Sequence, residues 1–183
     1  MSNKGEVIKG LGIEGSFELL PERRLDERGY FQRLFENEML AERFEAIVQT
    51  NVAFNKKVGT WRGLHYQKEP SRECKFVSCL VGSARDILFD ARTDSESYEQ
   101  VLEITLDGSL GNILFVPSGV AHGYITLEPN TLMVYGHTAI YRPELDTGVN
   151  ISSLPIYSQI SSLMNVISDR DKSLPEWSFN NEL

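Results

Sequence analysis

Turn signals recur about every ten residues through the middle of the chain, at Val81-Gly82, Asp107-Gly108, Ser109 to Gly111 and Pro129-Asn130. The runs between them are short and rich in Val, Ile, Leu, Phe and Tyr. That pattern belongs to an antiparallel sandwich or barrel, in which each strand needs only a tight turn to come back beside its neighbour. Strands are predicted over Ser16–Leu20, Tyr30–Phe35, Ile47–Phe54, Lys75–Leu80, Arg85–Ala91, Val101–Leu106, Asn112–Val116, His122–Thr126 and Thr131–Tyr141. No comparable series of helices separates them, so a parallel α/β fold is excluded. One short helix is predicted over Asn37–Phe44, with Asn37 as its cap and Met39, Leu40 and Phe44 at helical spacing. Near the C-terminus, Ile160, Leu163, Met164 and Ile167 predict one or two further helical turns.

The 183 residues suit one domain, residues 1–183, and at 41% hydrophobic and 24% charged the chain can form a packed core. Eighteen Lys and Arg against 26 acids give 18 − 26 = −8, with no basic run for a phosphate backbone to follow, so nucleic acid is not an expected partner. Apolar stretches such as Ile113–Val116 and Leu132–Tyr135 are far shorter than the roughly 20 residues a membrane helix needs. No signal-peptide core precedes Glu14, and a soluble, cytoplasmic protein is expected. The two cysteines, Cys74 and Cys79, are an odd number of residues apart in one strand and leave it on opposite faces, as free thiols rather than a disulfide.

Alternation sorts Asp86, Leu88, Asp90 and Arg92 onto one face of their strand and Ile87, Phe89 and Ala91 onto the other. The mixed face is either solvated or turned into a wet pocket inside a closed barrel. The chain's three histidines are the natural proton carriers near neutral pH: His65 in Thr60-Trp61-Arg62-Gly63-Leu64-His65-Tyr66-Gln67, His122 after a turn, and His137 on the same parity as Met133 and Tyr135. Taken singly, each also reads as a hydrogen-bonded structural histidine. A barrel with histidines on separate strands invites comparison with metal-binding cupins, but Gln67 stands where their second histidine would be and Glu69 is the only carboxylate close by. Two imidazoles and an amide are a poor donor set, so no metal is expected.

Arg62-Gly63-Leu64-His65-Tyr66-Gln67 resembles the signature of the dTDP-4-dehydrorhamnose 3,5-epimerase family. The likeness runs in register through Asp26-Glu27-Arg28-Gly29-Tyr30-Phe31, Gln49-Thr50-Asn51, Asp90-Ala91-Arg92 and Val116-Pro117-Ser118-Gly119-Val120-Ala121-His122-Gly123-Tyr124. It continues in Val134-Tyr135, Tyr141-Arg142-Pro143-Glu144 and Ser168-Asp169-Arg170-Asp171. The resemblance implies an all-β, cupin-type antiparallel jelly roll with a few short peripheral helices. It also implies epimerisation of a nucleotide-linked 4-keto-6-deoxyhexose without any cofactor.

In such a substrate the C4 ketone acidifies the hydrogens on C3 and C5, so a base on one face and an acid on the other suffice for inversion. By resemblance His65 is the base, Asp171 its paired carboxylate, Tyr135 the acid and Lys75 the cation facing the C4 oxygen. Asp169 is the nearby competitor for the role of Asp171. Arg28 and Arg62 match the diphosphate contacts, Gln49, Asn51 and Tyr141 match contacts to sugar and base, and His122 is a further polar pocket group. Arg62 and His65 have opposite parity, so sharing one cavity requires either a bend, for which Gly63 is suited, or Arg62 at the cavity mouth. Many family members follow the Gln-x-Asn element with His-Ser, whereas this chain has Val52-Ala53. The nucleotide and the number of centres inverted therefore stay open. A homodimer paired through N-terminal strands is implied as well. The alternatives are a C3-only epimerase, one using a CDP- or GDP-linked sugar, a ketoisomerase moving the carbonyl between C3 and C4, and, in other classes, a non-catalytic nucleotide-sugar-binding cupin or a metal-dependent cupin.

Overall fold

The computed structural model describes residues 7–35 and 46–179, and the helix expected over Asn37–Phe44 lies outside them. The described strands are β1 (Val7–Gly10), β2 (Phe17–Leu20), β3 (Arg23–Asp26), β4 (Gly29–Gln32), β5 (Gln49–Asn55), β6 (Trp61–Gln67) and β7 (Lys75–Val81). They continue with β8 (Ser83–Asp90), β9 (Val101–Asp107), β10 (Ile113–Val116), β11 (Val120–Thr126), β12 (Thr131–His137) and β13 (Asp146–Gly148). Short helices α1 (Tyr157–Ile160) and α2 (Asp169–Lys172), with two 3-10 turns, follow the last strand.

Two antiparallel sheets result, ordered β1-β2-β10-β7-β12-β5 and β13-β6-β11-β8-β9, while β3 and β4 form a separate ribbon. The sheets close on each other as the expected jelly roll. Val77, Cys79, Leu114, Val116 and Met133 from the first meet Leu88, Leu106, Val120 and Tyr124 from the second. Parity in β8 holds: Leu88 points into this inter-sheet core, and Ile87 and Phe89 point outward. That outward face is itself covered, by Val149, Ile151, Leu154, Ile156, Ile160 and Trp177 of the C-terminal segment. The outer face of the other sheet is covered where Leu34, Phe35 and Ile47 pack on Leu19, Phe76, Ile113 and Phe115. Large apolar side chains thus leave water on both faces of the central strands, each contributing about 1.5–3 kcal/mol.

Several element bounds differ from expectation. β4 ends at Gln32 rather than Phe35, because Leu34 and Phe35 leave the ribbon to cover the sheet. β12 stops at His137, opposite Lys75 at the start of β7, rather than continuing to Tyr141. β6 was not among the predicted strands; Arg62, Gly63, His65 and Gln67 dilute its apolar alternation. β1, β3 and β13 also lie outside the predicted strands.

The bend expected near Gly63 is a β-bulge. His122 pairs with His65 but Tyr124 pairs with Arg62, so two steps on β11 span three on β6. Gly63 has φ of +125°, and a Cβ there would come within 2.5 Å of the Gly123 Cα, so only glycine meets both requirements. The extra residue brings Arg62 and His65 to the same face in spite of their odd spacing.

Candidate active site

A cavity of about 310 Å³ opens between the two sheets, at the low end of the roughly 300–1,000 Å³ found for small-molecule sites. His65, Arg62 and His122 reach it from the five-stranded sheet, and Lys75, Tyr135 and Asn51 from the six-stranded one. Tyr141 and Asp171 complete that part of its wall.

His65 Nε2 and Asp171 Oδ1 are 2.7 Å apart. Asp171 sits in α2, where Ser168 caps the helix by accepting from the Asp171 backbone N–H. The cap turns Asp171 inward, to 6% side-chain exposure. Asp169, the competing carboxylate, is 99% exposed and pairs with Lys172. Burial raises the pKa of Asp171, but hydrogen bonds from His65, Ser168 and the Gly63 backbone outweigh it and hold the carboxyl below its ordinary value. An ionised Asp171 suits the acceptor role toward Nε2–H, which turns Nδ1 away from the carboxylate.

Tyr135 stands on the opposing sheet, with its ring 6.2 Å from His122 and 6.3 Å from Tyr124, centroid to centroid. Burial, reinforced by Tyr124 and Asp86, pushes its phenol well above the ordinary value, so it stays protonated at neutral pH. Lys75 Nζ is buried, donates to the His65 carbonyl at 3.0 Å and lies 3.6 Å from Glu73 Oε2. Desolvation lowers its pKa, with Glu73 and Asp146 opposing.

His122 is also paired, with the fully buried Asp86. Burial raises the Asp86 carboxyl while His122 opposes that rise. Removing His122 would leave the buried Asp86 without this hydrogen-bond partner, so His122 has a structural share in the cavity wall. Arg62 donates through Nε to Asn55 Oδ1 at 2.8 Å, which anchors the guanidinium at the cavity. Asn51 points toward the cavity beside His137, while Gln49 is one place out, donating to Asn51 Oδ1 and accepting from the Tyr141 backbone N–H.

Arg28 is not gathered with these residues. It lies at the turn of the β3–β4 ribbon, 85% exposed, with its guanidinium on Asp26 at 2.6 Å. A ribbon that pairs only with itself carries its turn away from the sheets, which local sequence could not reveal.

Residues the sequence reading did not single out also meet here. Glu73 joins His137 and Lys75, and Asp146 pairs with Arg170 at the same cavity. Asn55 and Tyr124 hold Arg62 and Tyr135 in place. Alternation from Asn51 through Ala53 to Asn55 was the available signal for Asn55. Nothing local marked Glu73. Of the departing pair, Ala53 is partly buried on the cavity wall, and Val52 stays 63% exposed at the rim.

Comparison with known proteins gives the lineage of this arrangement. A family model described as dTDP-4-dehydrorhamnose 3,5-epimerase matches residues 10–178. A Sinorhizobium fredii protein of the same name is 34% identical over 158 residues, 85% of this chain and 81% of that one. A dTDP-4-dehydrorhamnose 3-epimerase of Streptomyces niveus is 29% identical over 146 residues, covering 78% and 70%. Among solved structures, the dTDP-4-dehydrorhamnose 3,5-epimerase of Bacillus anthracis with TDP and pyrophosphate bound superposes with a TM-score of 0.84 at 30% identity, covering 94% of this chain and all of the other. With the model spanning nearly the whole chain and the fold shared end to end, the chain belongs to the dTDP-4-dehydrorhamnose 3,5-epimerase family of isomerases.

Proposed function

We propose that the protein inverts C3, C5 or both in a dTDP-linked 4-keto-6-deoxyhexose, through an enolate, for deoxysugar synthesis. The observation that carries this reading is that His65 and Tyr135 belong to opposite sheets and line one cavity, so a pyranose between them is flanked by a base and an acid. His65 Nδ1 removes the proton from the carbon beside the ketone, and the electron pair moves onto the C4 oxygen facing Lys75. Tyr135 then delivers a proton to the other face of that carbon. Exchange with solvent returns a proton to Tyr135 and removes one from His65. Arg62 suits the diphosphate because a guanidinium fork matches two phosphate oxygens. The relatives' names and the TDP bound to the Bacillus anthracis structure support dTDP as the carrier.

NMR of a panel of dTDP-, CDP- and GDP-linked 4-keto-6-deoxyhexoses in deuterated water tests the reading. Deuterium is expected at C3, with or without C5, of the dTDP sugar, alongside an inverted product. No exchange with any member sinks it, and a displaced carbonyl carbon replaces it with ketoisomerisation. The 3-epimerase from Streptomyces niveus keeps inversion at C3 alone as a second reading, in which C5 stays unlabelled.

A homodimer is part of the proposal. β5 is an edge strand with Val52 and Phe54 63% and 57% exposed, and the β3–β4 ribbon exposes Leu25, Tyr30 and Phe31. Open edges and apolar side chains of this kind are satisfied by a second copy of the same surface, related by a two-fold axis. Sedimentation velocity is expected to give twice the 20.7 kDa chain mass, and Leu25→Asp with Phe31→Asp to shift it to monomer. A wild-type monomer at micromolar concentration refutes the pairing.

A further inference from the structure

Glu73 lies just ahead of β7 and is buried, 8% exposed, yet nothing in the acid-base scheme uses it. Its two carboxylate oxygens serve different partners. Oε1 is 2.9 Å from His137 Nδ1, and Oε2 is 3.6 Å from Lys75 Nζ. On the far side of the imidazole, His137 Nε2 lies 3.2 Å from the Asn51 amide nitrogen. An amide nitrogen donates, so Nε2 is an acceptor and the ring proton sits on Nδ1, pointing at Glu73. His137 thus donates through Nδ1 to one carboxylate oxygen of Glu73, and the other faces Lys75.

The other charged groups around Lys75 have closer partners of their own, although Asp146 adds an opposing charge second to that of Glu73. Across the cavity, Asp171 is bound by His65 and Asp86 by His122. Asp146 on β13 is paired with Arg170 of α2, and Arg62 is held by Asn55. From β6 Lys75 receives only a backbone carbonyl, that of His65. Among the described residues, Glu73 is the carboxylate within ion-pair range of Lys75. A buried ammonium without a counter-charge loses its proton readily, and a neutral amine stabilises an oxyanion far less.

The geometry points to Glu73 as a positioning residue that keeps Lys75 an ammonium inside the cavity, with His137 and Asn51 fixing the carboxylate in place. The consequence for catalysis rests on the reading above, in which Lys75 faces the C4 oxygen. The direction of the Lys75 shift agrees: burial drives its pKa down, and Glu73 is the first of the groups that resist. For Glu73 itself, burial raises the carboxyl, but His137 and Lys75 outweigh it and keep it ionised.

The test follows the Lys75 side chain by NMR with 13Cε-labelled lysine, using Lys75→Met for assignment, through a pH titration of wild type, Glu73→Gln and Glu73→Asp. Glu73→Gln keeps the shape and still accepts from His137, but removes the charge. Its Lys75 midpoint is expected to fall by about one pH unit or more, with Glu73→Asp recovering part of the loss. An unmoved midpoint in folded Glu73→Gln overturns the proposal, as does a Glu73→Asp midpoint no higher than that of Glu73→Gln. In parallel, the pH profile of kcat reads the consequence. The ammonium exists below its midpoint, so activity is lost as pH rises through it, and the basic limb should move to lower pH by the same interval, with KM little changed. Tyr135 titrates well above its ordinary value and stays clear of this limb. A midpoint that moves while the limb stays still upholds the Glu73–Lys75 coupling and overturns Lys75 as the oxyanion contact, so the two failures are told apart.

Discussion

Replacing His65 with alanine is expected to abolish deuterium uptake from solvent into the sugar ring and lower kcat by about 10²–10⁴-fold, the usual contribution of a positioned base. Binding of dTDP, measured by calorimetry, should be nearly unchanged, because Arg62 and Tyr141 reach the cavity independently of the imidazole. The size of the effect follows from the pairing: among the described residues His65 is the one cavity histidine whose carboxylate partner comes from the C-terminal segment, and in the proposed scheme Asp171 orients the ring and stabilises the imidazolium. In the variant Asp171 keeps its hydrogen bonds from Ser168 and Gly63, and thermal melting separates any loss of stability from loss of catalysis. Undiminished exchange in the variant removes His65 from the mechanism.

Tyr135→Phe should separate exchange from inversion. With the phenol gone, His65 can still remove a proton and return a deuteron to the same face, so label enters the ring without change of configuration. Formation of the epimer is expected to fall by about 10²-fold or more, because the proton donor proposed for the opposite face is gone. The partly buried setting makes this a sharp test: Tyr135 is held protonated by desolvation, and Phe fills the same apolar volume beside Tyr124. Chirality of the labelled carbon, read by coupling constants, distinguishes the outcomes. Inverted product at the wild-type rate shows that another donor, with Tyr124 the nearest phenol, supplies the proton.

The strand register explains why so much of the site was legible in the chain. Asn51, Ala53 and Asn55 alternate along β5, and Tyr135 and His137 do so along β12, so period two alone aligns them with one wall. The turn spacing fixed the number of central strands closely because tight turns leave little choice of loop length. β6 was harder to read. Its Gly63 bulge breaks the alternation at the point where the chemistry lies, and a residue pair that looks opposed in sequence ends on one face. Arg28 shows the converse: its motif was visible, but the ribbon that carries it leaves the cavity of its own chain.

What the sequence by itself determined is the class of fold and most of the wall-forming strands, β6 excepted, because alternation and turn spacing are local properties of a chain; the roles proposed for His65, Tyr135 and Lys75 came from the resemblance of its motifs. The pairing of those groups was decided only by tertiary structure. Asp171 meets His65 across 106 positions and Glu73 meets His137 across 64, and such distances close only when two sheets stack and a C-terminal segment folds over one of them. Charge on Lys75, tautomer in His137 and protonation of Tyr135 follow from that closure, since each depends on how much water the packed walls leave and on which buried partner remains within reach.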